Sequence, residues 1–295
     1  EETGLTGAEK LDPKDFSGRI LLNLDSEDEG EIFIGCAGGM DTVVKVYYKM
    51  EPAPRRSTAY QIMVSGLKGG HSGDDINKNL ANANKLLTRI LWQGANEFDL
   101  RIYDIQGGNL RNAIAREAMA VAFVPEEFQE EFEEFVKVME QNFRREYQVT
   151  EPNLAVKAVV AETQPELVID EMTQFDLLNA LYACPHGVIA MSQTIPNFVE
   201  TSTNLASVKM TQPGVIRIGS SQRSCVTAAR RAAAAKMEAC FVLAGATVTH
   251  EGEYPGWAPA AESPVRDACV ASYRKLFGVD PKVKAIHAGL ECGII

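Results

Sequence analysis

The middle of the chain carries the same order of secondary-structure signals twice, and few folds accommodate that. A strand near Ala59–Val64 leads through glycines to a helix at about Asp75–Trp92, where Ile76, Leu80, Ala83, Leu86, Leu87 and Ile90 keep helical spacing. Strands near Glu97–Gln106 and Ala113–Val124 follow, then an amphipathic charged helix over Glu126–Arg145. The second pass begins with a strand at Leu154–Ala161 and a helix near Pro165–Cys184. Strands near Phe198–Met210 and Val215–Ser221 and an alanine-rich helix at Val226–Ala244 complete it. Both passes read βαββα, which predicts a two-lobed α+β unit in which each lobe lays helices on a sheet.

The flanks read differently. Arg19–Leu24 is a short continuous apolar run, as expected of a strand covered on both faces, and places Asp25 at its carboxyl end. Ligands in open α/β sheets bind beyond the carboxyl ends of strands. The helix-like Pro264–Phe277 leads to a second strand, Lys282–His287, and to the turn Ala288-Gly289-Leu290-Glu291-Cys292-Gly293. The expected division is an α/β domain in two parts, residues 1–40 and 248–295, interrupted by the α+β unit at 41–247. A chain of 295 residues suits two domains, because single cores stop growing near ~250–300 residues.

Five acids, Asp25, Glu27, Asp28, Glu29 and Glu31, fall within seven positions after that apolar run. Most such runs are solvated loops. Asp25 differs because a carboxylate next to buried apolar residues needs a partner or a cation. Adjacent acids also open the chain at Glu1-Glu2, before the turn-forming Gly4-Leu5-Thr6-Gly7. One member of such a pair can hold a cation while the other takes a proton from water.

Composition excludes other classes. The net charge of −11 argues against a nucleic-acid partner, which requires clustered Lys and Arg. No run approaches the roughly 18 apolar residues of a membrane span, and no basic stretch precedes an apolar signal core, so a cytoplasmic protein is expected. The six cysteines show no C-x-x-C spacing, which fits reduced thiols better than a disulfide framework or a zinc knuckle.

EETGLTGA, LLNLDSEDEGEIFIGCAGG, GLKGGHSGDDINKNLANANKLL, GGNLRNAIAREA and AIHAGLECG occur in this order. In these motifs the chain resembles the PepD-like cytosolic dipeptidases, also called aminoacyl-histidine or Xaa-His dipeptidases, a group of co-catalytic zinc metallopeptidases. The resemblance implies a dinuclear-metal catalytic domain interrupted by a lid, two divalent ions (zinc, with manganese or cobalt as alternatives) and hydrolysis of unblocked dipeptides. It matches Glu1 to the general base, and Glu2 and Asp25 to metal ligands. The family's H-x-D motif, bridging aspartate and last histidine ligand have no counterpart in the 295 residues. Zinc sites need about four donors, so the chain is expected to be incomplete and inactive alone.

For the lid, the resemblance matches His71, in Gly69-Gly70-His71-Ser72-Gly73, to the histidine that stabilises the tetrahedral intermediate. Related peptidases with single-copy lids take this histidine from a partner subunit and bind the substrate carboxylate with an asparagine and an arginine of their own. Here the first pass carries His71 and Asn112, and the second carries Asn204 and Arg223, so one lid can imitate two. A guanidinium suits a carboxylate because it offers a bidentate fork. Asn112 is the weaker choice, because Ala115 stands where related sequences often have proline. Gly289 and Glu291 of the last motif, with His287, are expected to line the substrate site, whereas His186 and His250 have no such match. A homodimer is compatible with a lid of this kind, and a non-catalytic binding or dimerisation module is the alternative reading.

Overall fold

A computed structural model of the chain describes residues 6–12, 14, 16–25, 29–260 and 262–295. Glu1 and Glu2 lie outside the described residues. A short helix, α1 (Thr6–Glu9), comes first, then β1 (Glu31–Cys36) and, after Ala37 alone, β2 (Gly38–Tyr47) and β3 (Met50–Pro52). The chain continues through β4 (Ser57–Ser65), β5 (Gly70–His71), α2 (Ala83–Glu97), β6 (Arg101–Gly107), β7 (Ala113–Ile114), β8 (Ala118–Pro125), α3 (Gln129–Glu146) and β9 (Ala155–Val160). Next come β10 (Leu167–Ile169), α4 (Glu171–Ala183), β11 (Gly187–Met191), β12 (Val199–Gln212), β13 (Val215–Ser224), α5 (Thr227–Leu243) and β14 (Thr247–Tyr254). Two further elements, α6 (Pro264–Phe277) and β15 (Lys282–Ile286), close the fold.

Nine strands form one sheet in the order β14-β2-β13-β12-β6-β8-β4-β9, with β11 added beside β12. The order β6-β8-β4-β9 is repeated as β12-β13-β2-β14, and each set follows the chain as βαββαβ, with α2 and α3 in one and α4 and α5 in the other. The halves join where Val208 of β12 faces Gly107 of β6. The repeat is therefore present, but with a different opening strand in the second half. Leu154–Ala161 supplies β9, which pairs with β4 as the edge of the first half, and β2 takes the opening place in the second. An apolar strand pattern states that a strand is buried and leaves its neighbour unspecified.

Alternation along β4 buries Tyr60, Ile62 and Val64 in the main core, leaving Gln61 and Met63 half-exposed on the other face. Leu86, Leu87 and Ile90 of α2 and Phe132, Val136, Met139 and Phe143 of α3 meet them there. Arg89 of α2 holds Glu146 of α3 bidentately at 2.6 and 2.7 Å and lies 4.5 Å over the Phe143 ring.

The helix expected from Asp75 begins later. Asp75 accepts the backbone N–H of His71 at 2.7 Å, and the chain makes turns until Asn82, whose side chain caps α2 by accepting from Lys85 N at 3.2 Å. Ile76 and Leu80 keep helical spacing but pack in a separate small cluster with Ile114 and Val199.

Arg19–Leu24 forms no strand. No ladder partner lies beside it among the described residues, and Ile20, Leu22 and Leu24 are 68%, 60% and 92% exposed. An apolar run becomes a strand only where backbone groups find partners. The small parallel sheet of the flanks pairs β1 with β15 instead, Glu31 facing Lys282. The boundary expected at 40 falls inside β2, and that at 247 falls on the first residue of β14, which pairs with β2 as far as Tyr254 opposite Gly39. Among the described residues no helix is long and apolar enough to cross a membrane.

Candidate active site

Three strands of the second half set a row of side chains. Ser202 of β12 faces Arg223 of β13, and Arg223 faces Gly39 of β2. Tyr254 covers Gly39 so closely that a Cβ there would lie 2.4 Å from its ring, and its hydroxyl accepts from Arg223 Nη1 at 3.2 Å. Arg223 is 7% exposed, and its Nε has no hydrogen-bond partner. A buried guanidinium with an unused donor is prepared for an anion.

His287 lies against this row with its Nε2 2.7 Å from Ser202 Oγ, while its Nδ1 has no well-formed hydrogen bond. Burial, followed by the nearby Arg223 charge, holds the ring down to about 3, so His287 is neutral at ordinary pH.

The loop of the first half reaches the same place. Its backbone at Gly73 approaches the carbonyl of His287 so closely that a Cβ would lie 2.1 Å from that oxygen. The loop is fastened at several points. Ser72 N donates to Asn112 O at 2.8 Å, and β5 pairs with β7, His71 opposite Ala113. Glu151, 2% exposed, accepts from Lys68 N at 2.8 Å and from Ala81 N at 3.0 Å, so one carboxylate holds both ends of the segment.

His71 and Arg223 are thereby brought to one cluster, linked through Asp74. The Asp74 carboxylate is held below its usual range first by its bond to His71, with the Arg223 charge contributing. Asn204 joins them indirectly. It is fully buried, its amide donates to Ala113 O at 2.8 Å, and its Oδ1 is unpaired. It therefore braces the strand opposite His71 and retains one free acceptor. Asn112 is exposed, and its backbone carbonyl makes the contact to the loop.

The remaining expected residues stand apart. Glu291 accepts from Asn23 Nδ2 at 3.1 Å and lies near Cys36 and Cys292, and Gly289 sits in the loop after β15. Neither has a hydrogen bond or ion pair to Arg223 or His71 among the described residues. Asp25 is exposed at the end of an irregular segment, where its own N–H donates to Asn23 Oδ1 at 3.1 Å. Among the described residues no group of three or more His, Cys, Asp or Glu could hold a metal ion. Asp25 alone does not fit one, since a divalent ion needs several donors. His250 bridges Thr42 and Glu238, and His186 is packed against Leu205 N at 3.2 Å.

Sequence reasoning missed Asp74, Ser202, Tyr254 and Glu151. Asp74 had a usable signal, three residues after His71 in a glycine-bracketed loop. Tyr254 and Glu151 had none, because each reaches its partner across the fold.

Comparison with known proteins finds relatives of the chain as a whole. Residues 57–151, which span β4 to the end of the first-half loop clamp, match the M20 peptidase dimerisation domain. Over all 295 residues the chain is 39% identical to the cytosol non-specific dipeptidase of Escherichia coli (strain K12), covering 60% of that protein. The crystal structure of the aminoacylhistidine dipeptidase from Vibrio alginolyticus matches with a TM-score of 0.94 and 37% identity, over 100% of this chain and 60% of that one. The chain thus spans about 60% of the length of these two relatives. In its first half the chain carries a segment similar to the M20 peptidase dimerisation domain, and along its own length it is similar to about 60% of each of these two dipeptidases.

Proposed function

We propose that this chain is the lid-bearing part of a dipeptidase that hydrolyses unblocked dipeptides, Xaa-His among them. The observation that carries this reading is a buried Arg223 with an unused Nε donor in the same cluster as a loop histidine whose Nε2 makes no hydrogen bond among the described residues. Arg223, held by Tyr254, binds the free carboxylate of the dipeptide, Asn204 Oδ1 is left to accept from an N–H of the substrate, and the neutral His287 lies beside them. His71 donates to the carbonyl oxygen as negative charge develops there. The names of the two relatives, a non-specific dipeptidase and an aminoacylhistidine dipeptidase, support the substrate class.

Glu1 as base and Glu2 and Asp25 as ligands of two divalent ions, zinc by preference, belong to the same proposal and rest on the motif resemblance. Asp25→Ala or Glu2→Ala in the full-length protein is expected to reduce bound zinc and activity together, and Glu1→Gln to keep the metal and lose turnover. Elemental analysis showing full occupancy in Asp25→Ala rejects that ligand. A cytosolic homodimer is proposed from the E. coli relative's name and the dimerisation domain.

The lid assignments are tested by comparing a dipeptide with its C-terminal amide, using the full-length, metal-loaded protein. Arg223→Ala should mainly raise KM and erase most of the preference for the free acid. His71→Ala should lower kcat by roughly 10²–10³ and leave that preference intact. An unchanged acid-to-amide ratio in Arg223→Ala overturns the carboxylate clamp.

A further inference from the structure

The loop that carries His71 provides for both charge states of the ring. Nδ1 accepts from Gly73 N at 3.3 Å and from Asp74 N at 3.1 Å, so a neutral ring keeps its lone pair on Nδ1 and its proton on Nε2. The same Nδ1 lies 3.3 Å from Asp74 Oδ2, so a protonated ring finds a carboxylate there. Nε2 makes no hydrogen bond among the described residues and is a donor in either state.

The surroundings make that carboxylate consequential. Arg223 on β13 brings a fixed positive charge to the cluster, and His287 after β15 is neutral. Asp75, the other acid of the loop, is already engaged by His71 N and by Lys78. Among the described residues Asp74 is therefore the negative charge of this loop left to face the ring beside a guanidinium. Hydrogen bonds to a charged donor are about twice as strong as neutral ones, so a positive ring is the better partner for an oxyanion.

We propose that Asp74 is a positioning residue for peptide hydrolysis: it orients His71 through Nδ1 and supplies the negative charge that faces the ring while Nε2 meets the oxyanion. This rests on the assignment of His71 as the oxyanion donor. Asp74 acts through His71 and touches no substrate.

A double-mutant cycle in the full-length, metal-loaded protein tests it. Asp74 is about half exposed, its side chain 47% accessible, so the isosteric Asp74→Asn is expected to fold with an unchanged melting temperature. Asp74→Asn should lower kcat about tenfold with KM within about twofold, the pattern of an interaction realised in the transition state. Asp74→Glu should recover most of the loss. In the His71→Ala background, Asp74→Asn should change kcat no further, because residues acting as a unit are non-additive. An equal loss in both backgrounds, or a loss that appears in KM, overturns the inference while leaving His71 in place. If His71→Ala alone retains kcat within a few-fold, the assignment of His71 fails and the inference with it.

Discussion

Gly73 shows how little freedom the site has at single residues. A methyl group there would lie 2.1 Å from the His287 carbonyl and 3.1 Å from His71 Cε1, and the first neighbour is backbone that cannot rotate away. Gly73→Ala is therefore expected to displace the loop from the strand row, destabilising by roughly 1–3 kcal/mol and lowering kcat more than the melting temperature suggests. Calorimetry and steady-state rates on the same preparation check this, and a variant with wild-type values for both would remove the contact from the account. The motif that contains Gly73 was visible in the sequence as a glycine-bracketed histidine. That its backbone would press on a residue 214 positions away, as the numbers 73 and 287 give, was not.

At the scale of elements, the turns between β5 and α2 are held from outside by Glu151. Replacing it with Gln leaves one acceptor for two backbone donors and turns an amide donor toward the other. Glu151→Gln should cost on the order of 1–3 kcal/mol, the usual penalty for an unmet buried hydrogen bond. Hydrogen exchange locates the effect: the amides of Lys68 and Ala81 should lose protection ahead of those in α3. Equal protection in both proteins would show that the clamp is redundant. The same segment explains why periodicity misplaced the start of α2. Asp75 and Asn82 are both residues that begin helices, and Asp75 is consumed by the His71 backbone. By contrast α6 was readable at both ends, because its signals are local: Ser263 accepts from Arg266 N, Pro264 follows, and Gly278 adopts φ 74°.

Across the whole molecule, stability should carry a histidine signature in mild acid. His186 lies where the halves of the lid meet, accepting from Leu205 N of β12 and near Asn82 of α2. Burial, with the Lys85 charge adding, lowers it to about 4. The unfolded chain takes up a proton near pH 6.5 and the folded chain resists until about pH 4, so the unfolded state binds more protons in that window. Stability is full above the upper limit and is lost as pH falls through the window, by on the order of 2–3 kcal/mol for this group. Melting temperatures measured between pH 7 and pH 4, on a ~1-unit grid in wild type and His186→Gln, check the sign, the titration range being that expected for histidine. Gln offers an amide oxygen to Leu205 N without a titrating proton, so its curve should be flatter. Identical slopes would mean that His186 takes up its proton alike in the folded and the unfolded chain.

The sequence by itself determined what depends on neighbours along the chain: the doubled strand and helix order, the amphipathic face of α3, the span of α6, and the glycine-bracketed position of His71. Motif order also identified the kind of hydrolase the relatives represent. Only the tertiary structure decided that β2, rather than Leu154–Ala161, opens the second half, and that β12 and β13 present Ser202 and Arg223 side by side. It also decided that Asn204 reaches the His71 strand through the Ala113 carbonyl and that Tyr254 steadies Arg223. The physical reason is that periodicity and caps report forces acting over three or four residues. Strand partnership, by contrast, is chosen among many equally apolar edges by the packing of the whole sheet.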